Sequence, residues 1–238
     1  MSADLRHADS WVFDLDNTLY HPRHDLFAQI DHRMTAFVSR LLGVSAPEAR
    51  QMQKRYYAEH GTTLNGLMQL HALQPREFLD FVHDIDLSAL PEHPELAAAI
   101  ARLPGKRYVY TNGSQRHAER VLRKLGADHL FHGVVDIERA GFHPKPHRAG
   151  FERMIDAFGL DPGRAVMFED LARNLATAAD LGFTTVLVAS DADWSHEPED
   201  ARPAGLEDRH EFVHHVTDDL ADFLTTARIS IAPGLEGE

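Results

Sequence analysis

The sequence predicts an α/β fold: a parallel, Rossmann-like sheet with helices on both faces and a helical insertion after its first strand. Three observations carry this. An apolar run ends abruptly in acidic residues at positions 10–16; residues from about 21 to 93 show apolar side chains at helical spacing and no strand of note; and from about 94 onward apolar runs alternate with amphipathic stretches. Strands alternating with helices are the pattern of a parallel sheet covered on both faces.

The elements follow in order. "WVFDLD" (11–16) is a short apolar run closed by turn chemistry, a buried strand. Residues 25–42 place Leu26, Phe27, Ile30, Met34, Phe37, Val38, Leu41 and Leu42 on one helical face. Residues 46–61 open with a proline suited to a first turn and stop at a glycine, and 75–85 open with a proline as well. "RYVYTNG" (107–113) is strand then turn, and 114–127 a capped helix. "GVVDI" (133–137) is a strand, 146–159 a helix with a glycine stop, "RAVMFED" (164–170) a strand, 171–182 a helix and "TTVLVAS" (184–190) a strand. The polar, proline-bearing stretch 190–211 reads as a surface loop, 217–227 as a final helix with an N-cap at Thr217 or Asp218, and 232–238 as a frayed tail. The expected division is therefore a core of residues 1–20 and 94–238 with a helical insertion over 21–93.

Composition narrows the function classes. The chain has 238 residues, no cysteine and a net charge of −13. Disulfides and thiolate chemistry are excluded. A nucleic-acid polymer wants a basic face and is not expected as a partner. The start lacks the basic and apolar regions of a signal peptide, and no apolar run approaches the ~18 residues of a membrane helix, so a cytoplasmic protein without a membrane partner is expected. The 17 histidines fall in no spaced metal-ligand motif.

Ligands of an open parallel sheet bind at the carboxyl ends of its strands. The first strand ends in Asp14, Asp16 and Thr18; the second in Thr111, Asn112 and Gly113; the third leads to Lys145; the fourth ends in Glu169 and Asp170, with Asn174 a turn later. So much polar chemistry at neighbouring strand ends is costly unless it serves a common charge. Carboxylates without cysteine suit a hard cation, most simply Mg²⁺, and lysine and threonine beside it suit a phosphoryl group. Asp14 has the ordinary ionised carboxylate of a nucleophile, and Asp16, on the same side if the strand stays extended, is close enough for the pair to push their pKa values apart. One nucleophile and one general acid serve a phosphomonoester.

The stretches "DLDNT", "TNGS", "HPKP" and "EDLARN", in order over residues 14–174, resemble the four motifs of the haloacid-dehalogenase-like superfamily of phosphohydrolases. The resemblance implies a nucleophilic Asp14 that ligates Mg²⁺, and an Asp16 that acts as acid and then base and gives its main-chain carbonyl to the metal. It implies Thr111, Asn112 and Lys145 at the phosphoryl group, Asp170 as a further ligand with Glu169 in support, and the insertion as a C1-type helical cap. Dehalogenases of the superfamily characteristically lack the second aspartate and the metal, so Asp16 favours a phosphatase. "FDLDNTLYHP", "YYAEHGTTLNGLM" and "FLDFVHDIDL" further resemble the pyrimidine 5′-nucleotidases, which implies a small phosphorylated substrate such as UMP or CMP. Phosphoglycolate, a sugar phosphate, or a non-catalytic phosphate or nucleotide binder on the same fold are the alternatives.

Several residues carry two readings. Thr18 suits a turn-stabilising hydroxyl. Asn112 meets phosphate through its backbone N–H or shapes the turn with Gly113. Asn174 sits beside the metal or on a helix surface. In the insertion, Tyr56 or Tyr57 stacks on a base or belongs to the core, and Arg55, Asn65, His83 and Asp84 are further polar candidates.

Overall fold

The structure, a computed structural model, describes residues 2–195 and 202–230. The tail 232–238 and part of the polar stretch after Ser190 lie outside the described residues.

A six-stranded, wholly parallel sheet organises the chain, in the order β3-β2-β1-β4-β5-β6. Its strands are β1 (Ser10–Phe13), β2 (Lys106–Tyr110), β3 (Gly133–Val135), β4 (Ala165–Glu169), β5 (Thr184–Val188) and β6 (His215–Thr217). Between β1 and β2 lie α1 (Leu26–Leu42), α2 (Ala46–His60), α3 (Thr63–His71), α4 (Pro75–Val82) and α5 (Pro94–Ala101). The remaining helices are α6 (Gln115–Lys124), α7 (Arg148–Phe158), α8 (Ala172–Asp180) and α9 (Leu220–Thr226). Among the described residues, no helix is long and apolar enough to cross a membrane.

The central strands β1, β2, β4 and β5 are largely buried on both faces, and strand residues alternate between two cores, as the two-residue period of a strand requires. Trp11, Phe13, Val109, Val166, Phe168, Val186 and Val188 face one side, where α5, α6 and α9 contribute Leu96, Ile100, Val121, Leu122, Leu220 and Leu224. Val12, Tyr110, Val135, Met167 and Leu187 face the other, against Phe151 and Met154 of α7 and Leu175 and Ala178 of α8. Phe13 and Phe168 stack at 4.5 Å on neighbouring strands, which ties β1 to β4 beside the strand ends.

Local signals set the ends of the helices. Ser45 and Glu48 form a capping box at the start of α2, and α1 stops at Gly43, whose φ of 66° only glycine adopts cheaply. Thr62 caps α3 by accepting from the Asn65 N–H at 3.1 Å. Helix α4 presents Phe78, Leu79 and Val82 to Phe37 and Val38 of α1, and these residues continue the first core.

One strand went unread in the sequence. β6 is three residues long, half-buried and polar at two positions, and it joins the sheet only by pairing with Val186–Val188 of β5. A strand that short has no apolar period to show.

Candidate active site

β1 lies between β2 and β4, so the chain order reverses on either side of it, at the place where open α/β sheets bind ligands. The register pairs Phe13 with Val109 and with Phe168, so Glu169 ends β4 at the carboxyl edge and Asp14, Thr111 and Asp170 come just past it. Asp14 keeps one more bond to the sheet, its N–H donating to Phe168 O at 2.9 Å. The chain then leaves the extended path expected for it. Residues 16–18 form a turn, Asn17 has φ 62°, and Leu19 N–H closes back on Leu15 O at 3.0 Å. Asp16 therefore sits on a turn above the strand end, not on a continued strand.

The two aspartates have different partners. Lys145 Nζ donates to Asp14 Oδ1 at 2.5 Å, to Glu169 Oε2 at 2.7 Å and to the Tyr110 carbonyl at 3.0 Å. Thr18 Oγ1 donates to Asp14 Oδ2 at 3.2 Å, so this hydroxyl touches the carboxylate itself. Asp16 Oδ1 instead accepts from Tyr20 at 2.6 Å and meets His117 Nε2 at 2.8 Å. Lys145, Asp14, Glu169 and Asp170 are all buried.

The electrostatics follow. Burial and the neighbouring Glu169 push Asp14 up to about 7, against the pull of Lys145. Burial, Glu169 and Asp14 push Asp170 well above the ordinary carboxylate range. Asp16 goes the other way: burial alone would raise it, but the His117 contact and the Tyr20 hydrogen bond hold it down to about 2. The pair is split, as neighbouring carboxylates should be. The direction is the reverse of the one expected, an ordinary ionised Asp14 beside an acidic Asp16: in the protein alone the raised member is Asp14, because it shares its site with Glu169 and Asp170, while Asp16 has donors of its own.

One lysine does not balance the Asp14, Glu169 and Asp170 carboxylates, whose oxygens gather within 4.8 Å of one another. A second cation relieves that repulsion, and an all-oxygen donor set suits Mg²⁺. Two further buried acceptors point the same way: Asn17 Oδ1 and Asn174 Oδ1 find no hydrogen-bond donor among the described residues, and both residues line the same cavity. Asn174 thus lies inside the site rather than on a helix surface. The residues present fit a divalent cation.

Thr111 is buried at the cavity wall and accepts the Gly113 N–H at 2.9 Å. The Asn112 side chain clasps the Lys145 backbone, accepting from its N–H at 2.8 Å and donating to its carbonyl at 3.2 Å. It holds the lysine loop in place while Asn112 itself lines the cavity.

The cavity, of about 180 Å³, lies between these strand ends and helices α1–α4. Of the candidates in that helical block, Tyr57 and His83 line it. Tyr57 accepts a hydrogen bond from Arg173 of α8, whose guanidinium lies 4.9 Å above its ring. Tyr56 is core, its hydroxyl bonded to His71 at 2.8 Å. Asn65 reaches across to the Phe142 carbonyl at 3.1 Å. Arg55 and Asp84 are exposed and do not face the cavity, Asp84 pairing with Arg33. The sequence left other cavity residues unmarked. Asp31 is one, held by Gln53 at 2.7 Å, Lys54 at 2.8 Å and Arg50. Tyr20 and His117, which stand behind Asp16 and hold it, were also missed; their only signal was a polar group on an otherwise apolar helix face or turn.

Known proteins share the fold. Phosphate metabolism protein 8 of Saccharomyces cerevisiae is 26% identical over 195 residues, covering 74% of this chain, and the chain spans only 60% of that protein's length. Among solved structures, CbbY from Rhodobacter sphaeroides in complex with phosphate superposes with a TM-score of 0.61 at 16% identity, over 90% of this chain and 96% of that one. A HAD phosphatase from Thermococcus onnurineus gives 0.59 at 20% identity, over 92% and 99%. L-2-haloacid dehalogenase from Xanthobacter autotrophicus, with chloropropionic acid covalently bound, gives 0.55 at 18% identity, over 92% and 97%. At such identities these structures share the fold. The family model of the haloacid dehalogenase-like hydrolases matches residues 9–182, nearly three quarters of the chain, and the protein belongs to that family.

Proposed function

We propose that the protein is a Mg²⁺-dependent phosphatase of small phosphomonoesters that works through an aspartyl-phosphate on Asp14. The observation that carries this reading is the division of labour between the two aspartates. Asp14 is embedded with Lys145, Glu169 and Asp170, and Asp16 is held apart on its own donors at the same cavity. The phosphate in the CbbY structure supports the reading, on the fold the two proteins share.

Asp16, a carboxylate in the protein alone, takes up a proton as the phosphomonoester binds; an Asp14 oxygen then attacks phosphorus as the bond to the leaving oxygen breaks, and Asp16 passes that proton to the leaving oxygen. Asp16, now a carboxylate, takes a proton from the water that attacks the phosphoryl group, which frees Asp14 and inorganic phosphate. Lys145 and the Thr111 hydroxyl hold phosphoryl oxygens, and Asn112 fixes the loop that carries Lys145. Asp14, Asp170 and the Asp16 main-chain carbonyl would hold Mg²⁺, with Glu169 in support. The cation supplies charge neutralisation for a phosphate dianion that these carboxylates would otherwise repel.

We assign residues 21–93 to a cap over this site and residues 1–20 and 94–238 to the catalytic core. The substrate we favour is a pyrimidine nucleoside 5′-monophosphate. Support comes from the stretches 13–22, 56–68 and 78–87, and from a cavity that offers Tyr57 beside Gln53 and Lys54. A turnover panel tests both levels: UMP, CMP, phosphoglycolate, sugar phosphates, p-nitrophenyl phosphate and 2-chloropropionate, each with Mg²⁺ and with EDTA. Mg²⁺-dependent release of phosphate, fastest from UMP or CMP, is the expected result. Preference for another phosphate corrects the substrate, and halide release from 2-chloropropionate without phosphatase activity overturns the reaction.

A further inference from the structure

Among the described residues, the partners of the Asp16 carboxylate meet one oxygen only. Tyr20 donates to Oδ1 at 2.6 Å and His117 Nε2 approaches the same Oδ1 at 2.8 Å. Tyr20 is buried and His117 fully so. Facing a carboxylate oxygen, Nε2 carries the ring hydrogen, so Oδ1 takes two donors and Oδ2 is left for the cavity that Asp16 lines.

The His117 ring is itself held in place. It stacks on His83 with centroids 4.6 Å apart and planes 16° from parallel. His83 Nδ1 meets Ser114 Oγ at 3.0 Å, and that same Oγ caps α6 by accepting the His117 N–H at 3.3 Å. Arg120, one helical turn past Arg116, clamps the segment that carries His83 by donating to the His83 and Ile85 carbonyls at 2.6 and 2.8 Å.

We infer that Tyr20 and His117 are positioning residues that fix the plane of the Asp16 carboxylate through Oδ1 and so reserve Oδ2 for the proton it gives and takes. The inference rests on the acid–base reading of Asp16. Asp16 stands on a turn, where its carboxyl group would otherwise rotate, and proton transfer requires a close approach of the donor oxygen, within roughly 3.2 Å. The two donors replace that rotation with one orientation. The proton that Oδ2 takes up as the substrate binds passes to the leaving oxygen as the Asp14–phosphorus bond forms and the old phosphorus–oxygen bond breaks. The same oxygen later accepts a proton from water.

The test uses the first, single-turnover step with Mg²⁺ and two esters of similar shape, phenyl phosphate and p-nitrophenyl phosphate. Phenolate needs the proton more than nitrophenolate does. Tyr20→Phe and His117→Leu should slow phenyl phosphate roughly tenfold more than p-nitrophenyl phosphate, and His117→Gln, which keeps a donor near the Nε2 position, should recover most of the loss. In an Asp16→Ala background the same substitutions should add nothing, because they act only through Asp16. Equal losses on the two esters, or losses that add in full to Asp16→Ala, overturn the inference. Asp16→Ala alone separates the two levels. If it shows the ester contrast and the Tyr20 and His117 variants do not, the positioning role falls and the acid reading stands; if it slows both esters equally, both fall. Tyr20→Phe, which removes one hydroxyl, keeps the test decisive should His117→Leu fail to fold.

Discussion

Lys145→Met removes the cation from the middle of the carboxylate cluster. Lys145 is 2% exposed and sits 2.5 Å from Asp14 and 2.7 Å from Glu169. Burial alone would lower its pKa, but those two carboxylates outweigh burial and raise it. Methionine fills much of the same volume, so the change is one of charge. Breaking a buried ion pair from one side costs about 3–5 kcal/mol, because the partner charge is left uncompensated. Here Asp14 and Glu169 are both left so, with Asp170 beside them. Against a total stability of about 5–15 kcal/mol this is a large loss. It depends on pH: at pH 8 the stranded carboxylates are forced to stay ionised or to take up protons at a cost, whereas at pH 5.5 they protonate readily. Urea unfolding of both proteins in EDTA, followed by circular dichroism at the two pH values, measures it. The expected deficit is about 3 kcal/mol or more at pH 8, and clearly smaller at pH 5.5. A deficit under about 1 kcal/mol at pH 8, or one equal at both pH values, refutes the claim that Lys145 neutralises this cluster.

Asp14→Asn should keep the fold and lower phosphatase turnover by about a thousandfold or more, checked by steady-state release of inorganic phosphate beside a melting curve. The metal-free protein should lose stability as pH rises from about 4 through about 7: the folded state holds Asp14 protonated up to about 7 while the unfolded chain has already released that proton, so the folded state binds more protons over this window. Melting temperatures across pH 5–8 should show that slope in EDTA and a flatter one in Mg²⁺. Asp170→Asn removes one of the crowded charges, so it should raise the melting temperature in EDTA at pH 8 and abolish the further rise that Mg²⁺ gives the wild type.

Most of the sheet was legible because its strands are buried on both faces and read as continuous apolar runs: β1, β2, β4 and β5 could not hide. β6 could, since His215–Thr217 has no pattern of its own. The strand-end residues Asp14, Thr111, Glu169 and Asp170 were legible from position alone, because a parallel sheet delivers its strand ends to one edge. The helical block was harder. Nothing local distinguishes Tyr56, which packs inward against His71, from Tyr57, which turns to Arg173; a helix rotates adjacent residues by about 100°, and only the packing of α2 fixes which one meets the cavity. His117 lies on the apolar face of α6, where a histidine ordinarily signals nothing, and its contact with Asp16 spans 101 residues of sequence. The split of the two aspartates was expected but its direction came out reversed, with Asp14 raised and Asp16 lowered, because it depended on Glu169 and His117, neither of which is near them in the chain.

The covalent step can be observed directly. Asp16→Asn slows removal of the phosphoryl group, so this variant, mixed with Mg²⁺ and p-nitrophenyl phosphate and quenched in acid, should accumulate the intermediate. Peptide mass spectrometry should then find one added phosphoryl group on the fragment containing Asp14, labile to hydroxylamine and absent when Asp14→Asn is introduced as well. Nitrophenol release with no acyl phosphate at Asp14, or with the phosphoryl group on another residue, would contradict Asp14 as the nucleophile.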